Sequence, residues 1–425
     1  MTLPEEFTTY TRALMGEERF ARFLGALDEP APVSIRVNPF KAEATPETGA
    51  DRVAWCRGGY YLDSRPAFTF DPLLHAGAYY VQEASSMFID HVVRQFVHAP
   101  VTALDLCAAP GGKTTCLRAA LPEGSRLYSN EPHPKRAQIL AENVVKFGHP
   151  EVVVTNNYAI DYQRAGLRFG LILADMPCSG EGMFRKDPES IGEWSPANVE
   201  KCAALQRSIL ADIWPCLLPG GLLIYSTCTF NAHENEDNIA FAVEELGAEP
   251  VATPVEEAWR VAGPLTGPHP ICRFIPGTTR GEGLAVALLR KPETAADLPS
   301  RDRGKGRTMP LLRVLSDGVK PPQVKGKKTL PDVSQALTIL DEANPYPRVD
   351  VGYDEAIAYL RRESITLPAA APKGLVTVCH EGFALGFAKN LGTRANNLYP
   401  QEWRIRSTHR PEERPVVGLT PIVHP

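Results

Sequence analysis

No apolar run in this sequence approaches 18 residues, and its start, MTLPEEFTTY, has neither a basic nor an apolar leader region. Membrane insertion and secretion are therefore not expected. Paired Cys-x-x-Cys spacing is also missing, and the cysteines number nine, an odd count. That argues against a disulfide framework or a zinc site and for a reducing cytoplasm. Nor is there an excess of positive charge, since 45 Lys and Arg face 50 Asp and Glu, a formal −5 with a pI near 6.1. Net charge by itself does not suggest a nucleic-acid partner. What the chain does have is length: 425 residues, 44% apolar and 22% charged, suffice for two or three domains with sizeable cores.

Charge is unevenly placed along that length. Between Arg301 and Lys328 nine Lys and Arg stand against two Asp, a local +7 that leaves −12 for the remainder. This Gly-, Pro- and Lys-rich stretch reads as a flexible basic linker or exposed arm, spanning about 294–340. Residues 1–75 read as a small N-terminal α+β domain, opening with an amphipathic helix over Glu5 to Leu27 and a strand at Ser34 to Val37. From 76 to 293, apolar runs alternate with helical patterns. Strands are expected near 101–106, 125–130, 151–155, 169–174, 221–226 and 284–289, with helices near 113–120, 134–147, 198–217 and 234–246. That alternation predicts an α/β domain, a mostly parallel sheet with helices on both faces. Residues 341–410 read as a β-rich domain, with a helix over Tyr353 to Arg362 and strands around the Glu381-Gly382 turn.

The stretch Val101 to Thr115, VTALDLCAAPGGKTT, organises the middle domain. It reads as strand, tight glycine loop and helix start, a place where backbone N–H groups meet an anionic or electron-rich ligand. A phosphate loop would need glycine where Cys107 stands, although Gly112-Lys113-Thr114 supplies that motif's end. Glu131, at the end of the next strand, sits where a carboxylate can accept ribose hydroxyls in a doubly wound sheet. Two further strands end in cysteine loops, Asp175-Met176-Pro177-Cys178-Ser179-Gly180-Glu181-Gly182 and Ser226-Thr227-Cys228-Thr229. All three loops should meet at the carboxyl rim of one sheet.

Taken in order, Asp105 to Thr114, Asp175 to Gly182, Tyr225 to Thr229 and Glu234-Asn235-Glu236 resemble the signature loops of the RNA 5-methylcytosine methyltransferases. The resemblance runs from about Ser34 to Arg406. It is strongest to the bacterial branch that acts on small-subunit (16S) rRNA and carries an RNA-binding domain after the catalytic one. It implies a Rossmann-like class I methyltransferase fold, S-adenosylmethionine as cofactor, no metal and an RNA substrate, with transfer RNA the alternative to 16S rRNA. In the C-terminal domain, Asn396 to Pro400 and Trp403-Arg404-Ile405 resemble a PUA-like RNA-binding domain. Arg36, Asn38 and Lys41 match a short pattern in the family's N-terminal domain, which by sequence could be scaffolding.

Carbon 5 of cytosine is a poor nucleophile, so a thiolate must first add to carbon 6. The residues alone do not choose between the two thiols. By resemblance Cys228 is the nucleophile, Cys178 promotes product release, and Asp175 grips the cytosine edge near N3. Cys107, Ala108, Ala109, Pro110, Gly111, Gly112 and Lys113 would hold the amino-acid part of the cofactor and Glu131 its ribose, supported by Arg136, with Asp175 alongside. Where the family offers an aspartate to adenine, this chain has Thr155-Asn156-Asn157-Tyr158, so Asn157, Tyr158 or Asp161 would substitute. Met176 replaces a usual proline, and Leu284-Ala285 replaces two usual aromatics. Arg185, Lys186, Lys389 and Arg394 are the expected RNA contacts. Two readings from other classes stay open, a phosphate-loop ATPase and a non-catalytic RNA-binding assembly factor.

Overall fold

Five strands run parallel in the order Leu217–Thr227, Phe169–Asp175, Thr102–Asp105, Arg126–Asn130 and Val152–Thr155. Their side chains are apolar on both faces, as a sheet covered twice requires. Leu104 and Ile172 point to one side and Val154, Leu173 and Ile224 to the other, all with no exposed surface. Helices Phe88–Phe96, Gly112–Ala120 and Pro134–Phe147 cover one face. Ala159–Ala165, Pro196–Ile213 and Glu236–Leu246 cover the other. The direction of strand order reverses between Thr102–Asp105 and Phe169–Asp175, which opens a crevice beyond their carboxyl ends.

The computed structural model describes residues 1–49, 51–295, 312–325, 328–407, 411, 412, 414, 415 and 417–422. Residues 301–311, 326 and 327, which carry five of the nine Lys and Arg of the basic stretch, lie outside the described residues. Leu284–Arg290 lies antiparallel beside Leu217–Thr227. The sequence reading places it last in the sheet, and it is not. Val314–Asp317, inside the basic stretch, adds antiparallel to Val152–Thr155 at the far edge.

The N-terminal helix expected over Glu5 to Leu27 is two helices, Glu5–Met15 and Glu17–Leu27. Gly16 between them has φ 76°, a left-handed conformation that ends an α-helix. The break folds Phe7, Phe20 and Phe23 into one cluster with Phe184, Trp194 and Phe230, just beyond the two cysteine loops. Behind it stands a three-stranded sheet, Gly59–Leu62, Val33–Val37 and Tyr79–Val81. The pattern Arg36, Asn38, Lys41 works as scaffolding. Arg36 donates to Gln82 Oε1 (2.8 Å) and to Thr115 Oγ1. Asn38 donates to the carbonyls of Gly77 (2.8 Å) and Phe147 (2.9 Å), and Lys41 to those of Ala76 (2.9 Å) and Lys146 (2.6 Å). Two helix ends that would leave carbonyls unpaired are thus tied together.

The C-terminal sheet, Arg348–Asp350, Gly374–His380, Phe383–Asn390 and Ala395–Asn397, is backed by the helix Tyr353–Leu360. It does not stand apart. Ile35, Phe70 and Tyr79 from the start of the chain share one buried cluster with Tyr359, Val378 and Tyr399 from its end. Tyr353 Oη donates to the carbonyl of Phe70 (2.9 Å), and Leu419–Pro421 pairs with Ala42–Ala44. The orientation of the C-terminal domain to the sheet's rim is fixed by packing rather than by a linker.

Candidate active site

The glycine loop is pinned from outside. Ala108 N–H donates to the carbonyl of Asn130 (2.7 Å), Arg136 to that of Ala109 (2.9 Å) and Asn143 to that of Pro110 (2.7 Å). Gly111 turns the chain with φ 116°, a conformation that a side chain resists, and the helix begins at Gly112. Two buried acids stand beside this loop, each with one oxygen lacking a hydrogen-bond partner. Asp105 accepts from Thr114 Oγ1 at 2.6 Å through Oδ2, leaving Oδ1. Glu131 accepts from the His133 N–H at 2.9 Å through Oε1, leaving Oε2, with the Arg136 guanidinium 3.5 Å away. A buried acceptor without a donor is costly, so both positions suit a ligand that brings donors. Burial pushes the Asp105 carboxyl up to about 7. Sequence reading gave Asp105 no role. Its signal was an acid inside a strand that is otherwise apolar.

The two cysteine loops converge on that rim. Cys178 Sγ and Cys228 Sγ are 3.3 Å apart, though 50 positions separate them in the chain. Asp175 lies beside them, with Oδ1 accepting from Ser226 Oγ (2.7 Å) and Oδ2 from Lys113 Nζ (2.9 Å). Lys113, expected at the cofactor's amino-acid end, is thereby committed to Asp175. The environments of the sulfurs differ. A hydrogen bond from Cys178, aided by the Lys113 charge, lowers the Cys228 thiol against burial and Asp175. Cys178, donating that bond, is raised well above the ordinary thiol range, with burial and Glu234 adding to the effect. One thiolate and one thiol in contact is the arrangement that these neighbours favour. Burial raises Cys107, and Cys116 is buried in the core behind the loop.

Other expected site residues are placed differently. Arg185 does not face solvent. Its side chain is 7% exposed, pairs with Glu282 at 3.0 Å and donates to the carbonyls of Ala26 (2.8 Å) and Gly281 (3.1 Å). A guanidinium so satisfied has nothing to offer a phosphate, and the expectation of an RNA contact is corrected there. Lys186 is 33% exposed, 4.0 Å from Glu282. Lys389, on the C-terminal sheet, and Arg394, in the turn before its last strand, are exposed. Asn157 exchanges two hydrogen bonds with the backbone of Arg313, 3.0 and 3.2 Å, so its amide is engaged at the sheet's edge. Tyr158 is 69% exposed, and Asp161 accepts from the Tyr158 N–H (3.0 Å). Leu284 and Ala285, in place of the family's aromatics, lie in the core.

Comparison with known proteins bears on what such a rim belongs to. The family described as 16S rRNA methyltransferase RsmB/F matches residues 98–290. The N-terminal domain of 16S rRNA methyltransferase RsmF matches 3–84, and the RsmF PUA domain matches 346–405. The ribosomal RNA small subunit methyltransferase F of Serratia proteamaculans (strain 568) is 31% identical over 73% of this chain and 68% of its own. That of Escherichia coli O9:H4 (strain HS) is 29% identical over 94% and 96%. A solved methyltransferase homologue from Pyrococcus horikoshii superposes with a TM-score of 0.57, 25% identical over 68% of this chain and 95% of that one. The structure of NSun6 from Pyrococcus horikoshii with SFG has a similar fold (TM-score 0.56, 20% identical, covering 68% and 98%). Three successive matches in the right order, over a site of two touching cysteines beside a glycine loop, make this chain a member of the RsmB/F family of 16S rRNA methyltransferases.

Proposed function

We propose that this protein methylates carbon 5 of a cytosine in 16S rRNA through a covalent Cys228 adduct, with S-adenosylmethionine as methyl donor. The observation that carries the reading is the 3.3 Å contact between Cys178 and Cys228 beside Lys113 and Asp175. The residues fit the cofactor. Asp105 Oδ1, without a hydrogen bond, suits its ammonium group, and Glu131 Oε2, also without one and 3.5 Å from the Arg136 guanidinium, suits its ribose hydroxyls. When bound, S-adenosylmethionine supplies an electrophilic methyl group and no metal is needed.

The chain's own residues then divide the work. Cys228, as thiolate, forms a bond to carbon 6, and the electron pair of the 5,6 double bond moves toward the N3 edge, making carbon 5 nucleophilic. Asp175, held by Lys113 and Ser226, grips that edge by accepting from the exocyclic amino group beside N3, and the Lys113 cation offsets the charge that builds there. Once carbon 5 carries the methyl group, its proton leaves to a base, the double bond re-forms and the carbon–sulfur bond breaks. Cys178 promotes this release and returns Cys228 as thiolate. A base reached in this way must be out of its stack, so an unpaired or loop cytosine is the expected target. The PUA-like domain, 341–410, with Lys389 and Arg394, and the exposed Lys186 would hold the RNA around it.

The experiment is adduct trapping on a 16S rRNA transcript. Cys228→Ala should abolish methylation and adduct, whereas Cys178→Ala should accumulate a protein–RNA band resistant to denaturant. The opposite pattern sinks the assignment. Transfer RNA as the better substrate would move the target, and ATP hydrolysis dependent on Lys113 without methyl transfer would favour the phosphate-loop reading.

A further inference from the structure

Two buried carboxylates cross between the cysteine loops. Glu181, on the Cys178 loop, accepts through Oε2 from the backbone N–H groups of Phe230 (2.6 Å) and Asn231 (3.0 Å) on the Cys228 loop. Glu234, on the Cys228 loop, reaches back and accepts from the Ser179 N–H (3.0 Å), next to Cys178. Asn231 joins them, its Nδ2 donating to Glu181 Oε1 (3.0 Å) and Glu234 Oε1 (2.9 Å). Its Oδ1 accepts from the Glu234 N–H (2.8 Å). Gln206 adds a donor to Glu234 Oε2 (2.7 Å), Trp194 one to Glu181 Oε1 (3.0 Å), and the Gly182 N–H bonds the carbonyl of Cys228 itself (2.7 Å).

Glu181, Asn231 and Glu234 are at most 2% exposed, and among the described residues neither acid has a cationic partner. Burying two carboxylates without countercharge is unfavourable unless hydrogen bonds satisfy them, and apolar residues would join two loops more cheaply. What apolar residues could not do is fix the direction and spacing of two backbones to a fraction of an ångström. We infer that Glu181, Asn231 and Glu234 are positioning residues, a reciprocal brace that sets the Cys178–Cys228 sulfur contact. The inference rests on the catalytic reading of the two cysteines above. Glu234 opposes ionisation of both thiols, so what distinguishes Cys228 is the sulfur contact that the brace sets, together with the Lys113 charge.

The test uses the full-length protein with Glu181→Gln, Glu234→Gln and Glu234→Asp, and Cys228→Ala as reference. Glutamine brings an NH2 group where three donors already converge on Glu234, so one bond must be lost. Single-turnover methylation of the 16S rRNA transcript should fall about 100-fold in Glu234→Gln, the scale of a 1 Å misplacement of reacting groups. Dissociation constants for RNA and S-adenosylmethionine should stay within about twofold. Limited iodoacetamide labelling, read by mass spectrometry, should pass from Cys228 alone to a mixture of Cys228 and Cys178. Glu234→Asp keeps the charge and should keep the labelling preference while losing rate. A rate within about threefold of native, or losses that only follow the folded fraction in thermal melts, would overturn the brace. Methylation surviving in Cys228→Ala would instead overturn the catalytic reading beneath it.

Discussion

Lys113 Nζ sits 2.9 Å from Asp175 Oδ2, so a cation on the cofactor helix ends at the acid of the Cys178 loop and in the field of Cys228. Both ends of that ion pair are less than one-third exposed, and burial strengthens what charge does there. Lys113→Met removes the cation and leaves Asp175 uncompensated. Each change disfavours the Cys228 thiolate, so the midpoint of its alkylation against pH should rise by about one unit or more. Methylation at pH 7 should fall roughly tenfold and partly recover in alkaline buffer. An unmoved midpoint would mean that Cys228 does not feel Lys113.

Asp105 gives a pH dependence of different origin. Burial holds its carboxyl near 7, so below that pH it carries a proton. An ammonium ligand binds the ionised form, and the proton must be released on binding. S-adenosylmethionine affinity should therefore weaken as pH falls below 7, by up to about tenfold per unit, with proton release visible by calorimetry in buffers of different ionisation enthalpy. Asp105→Asn should bind weakly at every pH. Without ligand the sign reverses. The folded form holds a proton between about 4 and 7 that the unfolded chain does not, so this group makes stability decline as pH rises through that window.

Arg185 and Glu282 predict a loss of stability rather than of RNA affinity. Removing Arg185 from this buried pair leaves Glu282 only the more distant Lys186, 4.0 Å away, at a cost approaching that of a stranded buried charge, about 3–5 kcal/mol. Urea unfolding of Arg185→Ala should show a loss of that size, and the folded fraction should bind RNA within about twofold of native. Lys186→Ala, at an exposed position 4.0 Å from the same acid, should change stability by less than about 1 kcal/mol. Weakened RNA binding by Arg185→Ala at full stability would restore the phosphate-contact reading.

What was legible in the sequence was whatever depends on local pattern. The parallel strands are apolar runs ended by loop residues, and their order alone brings Cys107, Cys178 and Cys228 to one rim. What was not legible depends on partners distant in the chain. Nothing next to Arg185 reveals that Ala26 and Glu282 will enclose it. The break at Gly16 interrupts a helical pattern without disturbing it, since both halves keep an apolar face. The core shared by Ile35 and Val378 joins two segments that sequence reads as separate domains. Glu181 and Glu234 resemble ordinary loop acids until their donors, about fifty positions away, are known.

The edge strand Val314–Asp317 carries the last prediction, because it reaches the cofactor rim through asparagines. The Asn157 side chain bonds the backbone of Arg313, whereas Arg313 Nη1 donates to Asn156 Oδ1 (2.9 Å), and Asn156 Nδ2 donates to the carbonyl of Glu131 (2.7 Å). Leu312 packs with the cluster that includes Cys107. If Asn157 acts by anchoring this strand, Asn157→Ala should weaken S-adenosylmethionine binding about five- to tenfold, the worth of one or two hydrogen bonds. Arg313→Ala keeps both backbone bonds and should cost less. Replacing 312–317 by a Gly/Ser segment should match Asn157→Ala, and the combined change should add little, because both cut the same connection. Direct contact between Asn157 and adenine predicts full additivity instead. Isothermal titration of the three proteins and the combination decides between them.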